Sequence, residues 1–330
     1  MPLNNRQILN PYFSNTDTDL SGYKDGMLKA IDDISKYISE KEIEDFLSNK
    51  LQLFSNSFNE PQYLQAACEL VICSHLANKY KDSFSYELGV NPPKNVDCAF
   101  KDNDVQFNLE IKCADYTKSK EIENQLGLKL NLFGRNPDRA EIFNDLSDAI
   151  EKSHGGLPLL EQQHMDNKLK DYLLSAQSKF YQAPKNDHLN ILVVCCDSPM
   201  DIQKWVGYMF AHEGLFTNES FVDKTKYNLV DVVYITNLHH RHFEYTTKDK
   251  LTNHWLLENS FNLIFSNPFR TLAKQTAIEH FVEVMPNYSY ELQNYQVSGD
   301  AEISVKNAIR ISHFVVEKLL SNGVYVFQPN

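Results

Sequence analysis

Two acidic residues and a lysine in the stretch 95–116, NVDCAFKDNDVQFNLEIKCADY, have the types and spacing of a metal-dependent hydrolytic site. Glu110 and Lys112 lie two residues apart in the run VQFNLEIKC, where apolar and polar side chains alternate strictly. This alternation predicts a β-strand with both charged residues on one face. Asp97 lies on the preceding predicted strand, and a polar turn at 101–104 would join the two strands as a hairpin.

The expected register of this hairpin brings the two carboxylates near one another. We expect Phe100 to lie opposite Val105. Asp97 then faces Asn108, and Glu110 becomes its diagonal neighbour, roughly 7–8 Å away at the backbone. Carboxylates that close repel unless a positive charge lies between them. Magnesium would supply that charge, because it prefers carboxylate oxygens, keeps several waters and accepts phosphate oxygens.

Hydrolysis of a phosphodiester needs the same groups. A metal acidifies a water and neutralises charge, while a second cation holds the attacking water or the phosphorane. Lys112 would be that second cation. The alternative interpretation is structural, because any half-exposed antiparallel strand has one polar face and acid-x-Lys often occurs by chance.

The surrounding elements follow the order helix, three strands, insertion, helix and strand, which predicts an α/β fold with a mixed sheet. Asn59 and Pro61 begin a helix through YLQAACELVICSHLANKY, with Gln62 placed to close its cap. A strand at 84–90 precedes the hairpin. A polar insertion spans 115–161, a helix lies within 165–183, and HLNILVVCC predicts a strand covered on both faces.

The chain divides into an N-terminal arm with helices at 1–58, a core at 59–197 and an α/β extension at 198–330. In the N-terminal part, Ser39 and Glu42 have the spacing of a capping box. No Gly/Ser/Pro linker separates the extension from the core. We therefore expect the extension to pack on the core.

The core resembles the PD-(D/E)XK nuclease superfamily, on Val96-Asp97 followed thirteen residues later by Glu110-Ile111-Lys112. Val96 stands where the family name has Pro. The resemblance implies a restriction-endonuclease-like mixed sheet flanked by helices. It also implies that Asp97, Glu110 and the carbonyl of Ile111 bind Mg²⁺, with Mn²⁺ able to substitute, and that Lys112 assists the water.

Two further matches extend the resemblance. Many members of the superfamily have an acid on the first core helix, and Glu69 occupies that position. A helix acid that meets solvent at one edge is the alternative for Glu69. Gln177 and Tyr181, in QSKFY, resemble the QxxxY signature of the RecB-like branch, which helps to organise the site and contacts DNA. Lys179, between them, could reach a phosphate or be an ordinary exposed helix lysine.

A net charge of −12 and a pI near 5.4 exclude a generally basic surface that coats nucleic acid. A DNA-binding enzyme of this composition needs a local cationic groove. We expect the groove to combine Lys112 and Lys179 with basic residues of the insertion. These are Lys118, Lys120, Lys129, Arg135 and Arg139.

Other features predict location and exclude competing sites. No apolar run reaches membrane-spanning length and the N-terminus lacks the layout of a secretory signal, so we expect a cytoplasmic protein without a membrane partner. The six cysteines form no CxxC pair, which favours reduced structural thiols and no iron–sulfur cluster. The histidines at 239, 240 and 242 lack a complete ligand set and are interpreted as a polar strand end.

The leading hypothesis is therefore a Mg²⁺-dependent deoxyribonuclease. The biological role that goes with this hypothesis is restriction or phage defence. The alternative is a non-catalytic protein-binding or assembly module on a nuclease-like fold. In that hypothesis the acidic surface recruits a protein partner, or the chain forms a homo-oligomer.

Overall fold

The structure is a computed structural model, and it describes most of the chain. The described residues are 6–13, 21–114, 122, 125–130, 138–153, 158–161, 166–196, 199–210, 213–247, 251–295 and 313–314. The strands are β1 (Ser85–Tyr86), β2 (Cys98–Asp102), β3 (Val105–Cys113), β4 (Leu128–Leu130), β5 (Leu159–Glu161), β6 (His188–Cys195), β7 (Val232–Thr236) and β8 (Asn262–Ser266). The α-helices are α1 (Ser21–Ser35), α2 (Glu40–Asp45), α3 (Glu60–Lys79), α4 (Arg139–Ser153), α5 (Asp166–Lys179), α6 (Pro199–Phe210), α7 (Leu238–His242), α8 (Gln275–Val284) and α9 (Ser289–Asn294).

A mixed six-stranded sheet forms the centre of the fold, in the order β1-β2-β3-β6-β7-β8. The β1-β2, β2-β3 and β7-β8 pairs are antiparallel, whereas β3-β6 and β6-β7 are parallel. The α/β prediction and the predicted order of core elements are confirmed. Since β7 and β8 continue the same sheet, the C-terminal extension adds strands to the core instead of forming a separate sheet.

Helices cover both faces of this sheet. Apolar residues of α1, α3 and α8 pack on one face, and those of α5 and α6 pack on the other. Strand β3 lies inside the sheet, and full burial of side chains such as Phe107 and Leu109 contributes about 1.5–3 kcal/mol each. Within the described residues, no helix is long and apolar enough to cross a membrane.

The polar face of β3 is buried, so the half-exposed-strand interpretation is wrong. Asn108 and Glu110 are both 0% exposed, because helices cover this face as well as the apolar one. Asn108 pairs in register with Asn190 of β6, and its Nδ2 donates to the Asn190 Oδ1 at 2.9 Å. The alternation in the sequence therefore separates two buried faces rather than core from solvent.

The hairpin has a register two residues away from the expected one. Phe100 pairs with Phe107 and Asp102 with Val105, which leaves only Asn103 and Asp104 in the turn. Their φ angles are 46° and 63°, in the left-handed region that Asn and Asp tolerate and that two-residue type I′ hairpin turns require. Continuing this register places Asp97, just before β2, opposite Glu110 itself.

Helix α3 begins as expected, with one difference at its cap. The Asn59 Oδ1 accepts from the backbone N–H of Gln62 at 3.0 Å. The N–H of Asn59 donates to Gln52 Oε1 at 2.8 Å, so Gln52 closes the cap where Gln62 was expected. The capping box of Ser39 and Glu42 is confirmed at the start of α2, and a π-helical turn, Phe46–Lys50, follows that helix.

Three other local predictions need correction. The strand expected at 84–90 is reduced to the two residues of β1. The insertion contains α4 and a parallel pair, β4 and β5, which lacks a visible sequence signal because each strand has three residues. His239, His240 and His242 are buried in the short helix α7, not at a strand end, and the Tyr23 hydroxyl lies 2.8 Å from His242 Nδ1.

Candidate functional site

Asp97, Glu110 and Lys112 converge on one face of the sheet. The Lys112 Nζ lies 2.6 Å from the Glu110 Oε1, because residues two apart on β3 point the same way. The Asp97 Oδ2 accepts from the backbone N–H of Ile111 at 2.6 Å. This bond extends the ladder beyond the last β2–β3 pair and orients the Asp97 carboxylate toward Glu110.

Lys179, the last residue of α5, completes this group of charges. Its Nζ lies 2.7 Å from Glu110 Oε2 and 3.7 Å from Asp97 Oδ1. The Lys179 side chain is 24% exposed, so the exposed-lysine interpretation does not hold. We call Asp97, Glu110, Lys112 and Lys179 the carboxylate–lysine cluster.

Two lysines neutralise the Glu110 carboxylate. Both of its oxygens are buried, and the ammonium groups of Lys112 and Lys179 each lie within hydrogen-bond distance of one of them. Burial and the Asp97 charge raise the pKa of Glu110, while Lys112 and Lys179 oppose that rise. Burial alone would lower the pKa of Lys179, but the two carboxylates outweigh it and raise that pKa.

A second group of polar side chains surrounds Glu69 on α3. Its side chain is 6% exposed, so an acid that meets solvent is the wrong interpretation. The Glu69 Oε1 accepts from Lys50 Nζ at 2.9 Å and from the Tyr86 hydroxyl at 2.8 Å. Burial and the charge of Asp97 raise the pKa of Glu69 to about 7, although Lys50 and Tyr86 act in the opposite direction.

Lys50 contacts every other member of this second group. Besides Glu69, its Nζ contacts Glu87 Oε1 at 3.0 Å and the Tyr86 hydroxyl at 2.7 Å. Burial opposes the charge of Lys50, but Glu69 and Glu87 outweigh burial and raise the pKa of Lys50. The sequence analysis missed Lys50, whose place at the end of a π-helical turn is a feature often found at functional sites.

Gln65 connects α3 to the end of β3, and the sequence analysis missed it too. Its Nε2 donates to the carbonyl of Ile111 at 3.2 Å, and its Oε1 accepts from the N–H of Cys113 at 2.6 Å. The side-chain amide thus substitutes for a neighbouring strand where β2 has ended. One lone pair of the Ile111 carbonyl is engaged, and the other remains for the role expected of it. The four-residue spacing from Glu69, on one helix face, is the signal that could have identified Gln65.

Replacing Gln65 with alanine should lower the free energy of unfolding by about 1–3 kcal/mol, because two partly buried backbone groups of β3 lose their partners. Urea unfolding measures this. Gln62→Ala is the matched control on the same helix, where the amide donates to Asn49 on the exposed surface. Equal losses in both variants would contradict the role given to Gln65.

The hydrogen bonds of Gln177 and the ring contact of Tyr181 are with residues outside the carboxylate–lysine cluster. The Gln177 Oε1 accepts from the N–H of Leu229 at 2.8 Å, and its Nε2 donates to Asn228 at 3.1 Å. The Tyr181 ring lies 5.3 Å from the His188 ring. Gln177 therefore anchors α5 to the segment at 228–229. The helix expected within 165–183 ends at Lys179, so Tyr181 lies beyond the helix and not on its face.

The basic residues expected from the insertion are only partly described. Lys118, Lys120 and Arg135 lie outside the described residues, Lys129 is exposed on β4, and Arg139 begins α4. The cationic groove predicted from them remains a prediction.

The donor set suits a magnesium ion better than a transition metal. Among the described residues, no group of three or more His, Cys, Asp or Glu side chains is placed to hold a metal. Asp97 and Glu110 supply two carboxylates, and Mg²⁺ commonly uses one or two carboxylates together with waters and phosphate oxygens. The six cysteines are unbridged; five are buried and Cys113 is half-buried.

A cavity of about 380 Å³ lies elsewhere, between α1, α3 and the segment 253–258. Its walls include Asp33, His75, Trp255 and Glu258, and none of the carboxylate–lysine cluster. The charges in its wall are of both signs and include no pair of carboxylates around one cation. The two carboxylates that share a cation therefore lie at the cluster and not in the wall of this cavity.

Comparisons with protein-family models, curated proteins and solved structures find no match for this chain.

Proposed function

We propose that this protein is a Mg²⁺-dependent nuclease that hydrolyses phosphodiester bonds of DNA, with a restriction-endonuclease-like core. The observation that carries the proposal is the carboxylate–lysine cluster at the end of β3, in which Glu110 is fully buried and the other three side chains are 20–25% exposed. Taking the Glu110 carboxylate and its cations out of water has a cost, and replacing buried ion pairs with apolar groups is often neutral or stabilising. A fold that keeps four charged groups together around a buried carboxylate favours a chemical use.

The cluster has the groups that phosphodiester hydrolysis requires. Asp97 and Glu110 would hold Mg²⁺, which when bound supplies a water of lowered pKa and neutralises charge on the phosphate. Lys112 contacts Glu110 from the open end of β3, where its ammonium can orient the attacking water or stabilise the negative charge that develops on the phosphate. Manganese would substitute, since it accepts the same oxygen ligands.

A matched pair of aspartate variants tests the proposal. Supercoiled and linear duplex DNA are incubated with the protein in Mg²⁺ and in EDTA. We expect cleavage in Mg²⁺ alone, and a fall in rate of about 10²-fold or more in Asp97→Asn, because one metal ligand loses its charge. Asn can still accept from the N–H of Ile111, so the hairpin should keep its register. Asp104→Asn, in the exposed turn of the same hairpin, should cleave like the wild type.

A protein-binding module with no hydrolytic activity is the competing function, and the acidic net charge favours it. It requires that Mg²⁺ leave the melting temperature unchanged, since a ligand raises stability only if it binds the folded state. A rise with Mg²⁺ that disappears in Asp97→Asn would exclude it. No rise, together with intact DNA after incubation, would exclude the nuclease.

A further inference from the structure

We propose that, in the metal-free protein, the ammonium group of Lys179 occupies the place of the divalent cation between Asp97 and Glu110. Metal binding then requires the Lys179 side chain to move out. This inference rests on the proposed function and adds to it an internal competitor for the metal.

The position of the ammonium group is the first argument. Lys179 Nζ contacts Glu110 at 2.7 Å and lies 3.7 Å from Asp97 Oδ1, which makes it the cation shared by both carboxylates among the described ion pairs. Lys112 reaches only the other Glu110 oxygen. The Asp97 Oδ2 is engaged with the N–H of Ile111, so Oδ1 is the oxygen that faces the shared cation.

The burial of Glu110 is the second argument. A fully buried carboxylate without a cation is strongly destabilising, so the site needs positive charge whether or not a metal is present. Lys179 supplies part of this charge through its contact of 2.7 Å with Glu110 Oε2. A divalent cation bound to the same carboxylate oxygens would supply that charge instead.

The location of Lys179 is the third argument. It is the last residue of α5, where the helix ends, and it reaches the carboxylates with a flexible four-carbon stem. Lys112, in contrast, lies within β3, where its residue pairs with Val194 of β6. Its side chain is 24% exposed, so there is solvent on one side into which the ammonium can withdraw. The geometry therefore allows Lys179 to leave without unfolding α5 or β3.

Metal binding to the full chain without DNA tests this inference. Isothermal titration with MnCl₂ compares the wild type, Lys179→Met and Lys112→Met. Removing either lysine lowers the local positive charge, so Lys112→Met measures that general effect. We expect Lys179→Met to bind Mn²⁺ about tenfold more tightly than Lys112→Met, equivalent to ~1.4 kcal/mol of lost competition.

Melting in EDTA supplies the second measurement. Lys179→Met should melt below the wild type, because Glu110 loses one of its two cations, and added Mn²⁺ should raise its melting temperature by more than it raises that of the wild type. Lys179→Gln, which keeps a polar group, gives the same comparison if the methionine variant does not fold.

The outcomes separate this inference from the proposed function. Metal-dependent DNA cleavage by the wild type, with Lys179→Met binding Mn²⁺ no more tightly than Lys112→Met, would overturn the role of Lys179 alone. No Mn²⁺ binding by any of the proteins would overturn both proposals.

Discussion

Lys112→Met is expected to lower the rate of Mg²⁺-dependent DNA cleavage by about 10²–10³-fold, the usual effect of removing one group that stabilises charge in the transition state. Lys112 lies on the same face as Glu110, 2.6 Å from its carboxylate, and is 25% exposed. It is therefore close to the proposed metal ligands and still open to a substrate. The cleavage rate at saturating Mg²⁺ is the measurement, so that changes in metal affinity do not contribute.

Lys101→Met is the matched control for this prediction. Lys101 lies on β2 of the same hairpin, toward the turn, and is exposed. Its replacement removes one positive charge without touching the carboxylate–lysine cluster. Equal activity in the two variants would mean that Lys112 does not take part in the chemistry.

Glu69→Gln is expected to make the protein more stable than the wild type above pH 7, and progressively less so as the pH falls toward 4.5. The pKa of Glu69 is raised from its ordinary 4.5 to about 7, first by burial and then by the Asp97 charge. Between these two values the folded state binds more protons than the unfolded state, so the contribution of Glu69 to stability is lost as the pH rises through 7. Glutamine resembles the protonated acid and does not titrate.

The free energy of unfolding, measured with urea in EDTA from pH 5 to pH 8, tests this prediction. The difference between Glu69→Gln and the wild type should grow with pH and reach roughly 3 kcal/mol, since each unit of pKa shift corresponds to about 1.4 kcal/mol. Glu40→Gln, at an exposed position on α2, controls for the loss of one negative charge. A difference that stays constant, or that shrinks as the pH rises, would contradict the environment assigned to Glu69.

Local patterns in the sequence were sufficient to predict which face of the hairpin each side chain occupies, but not to predict the register of the two strands. Strict alternation placed Glu110 and Lys112 together, and an even loop length kept Asp97 on their side. The register differed by two because Asn103 and Asp104 both adopt left-handed backbone conformations, which lets the strands continue to Asp102 and Val105. Composition alone does not reveal how many residues of a polar run such as KDND belong to the turn.

Contacts between distant segments were beyond the reach of sequence patterns. Gln65 and Lys50 come from helical segments, and their partners on β3 and α3 depend on how each segment packs in three dimensions. The QxxxY pattern correctly placed Gln177 on a helix face, but its amide binds the segment at 228–229, some fifty residues later in the chain. Lys179, which lies between Gln177 and Tyr181 in the sequence, is the residue of this segment that contacts the Glu110 carboxylate.

The asparagine pair between β3 and β6 determines more than the stability of the sheet. If β6 were shifted by one residue, Asn190 would turn to the apolar face of the sheet and its hydrogen bond with Asn108 would be lost, at a penalty of about 1–3 kcal/mol for the unpaired amide. The asparagine pair therefore fixes the register of β6 against β3. Because residues 180–187 connect α5 directly to β6, the same register determines where Lys179 lies along β3, and so its contact with Glu110, two residues after Asn108.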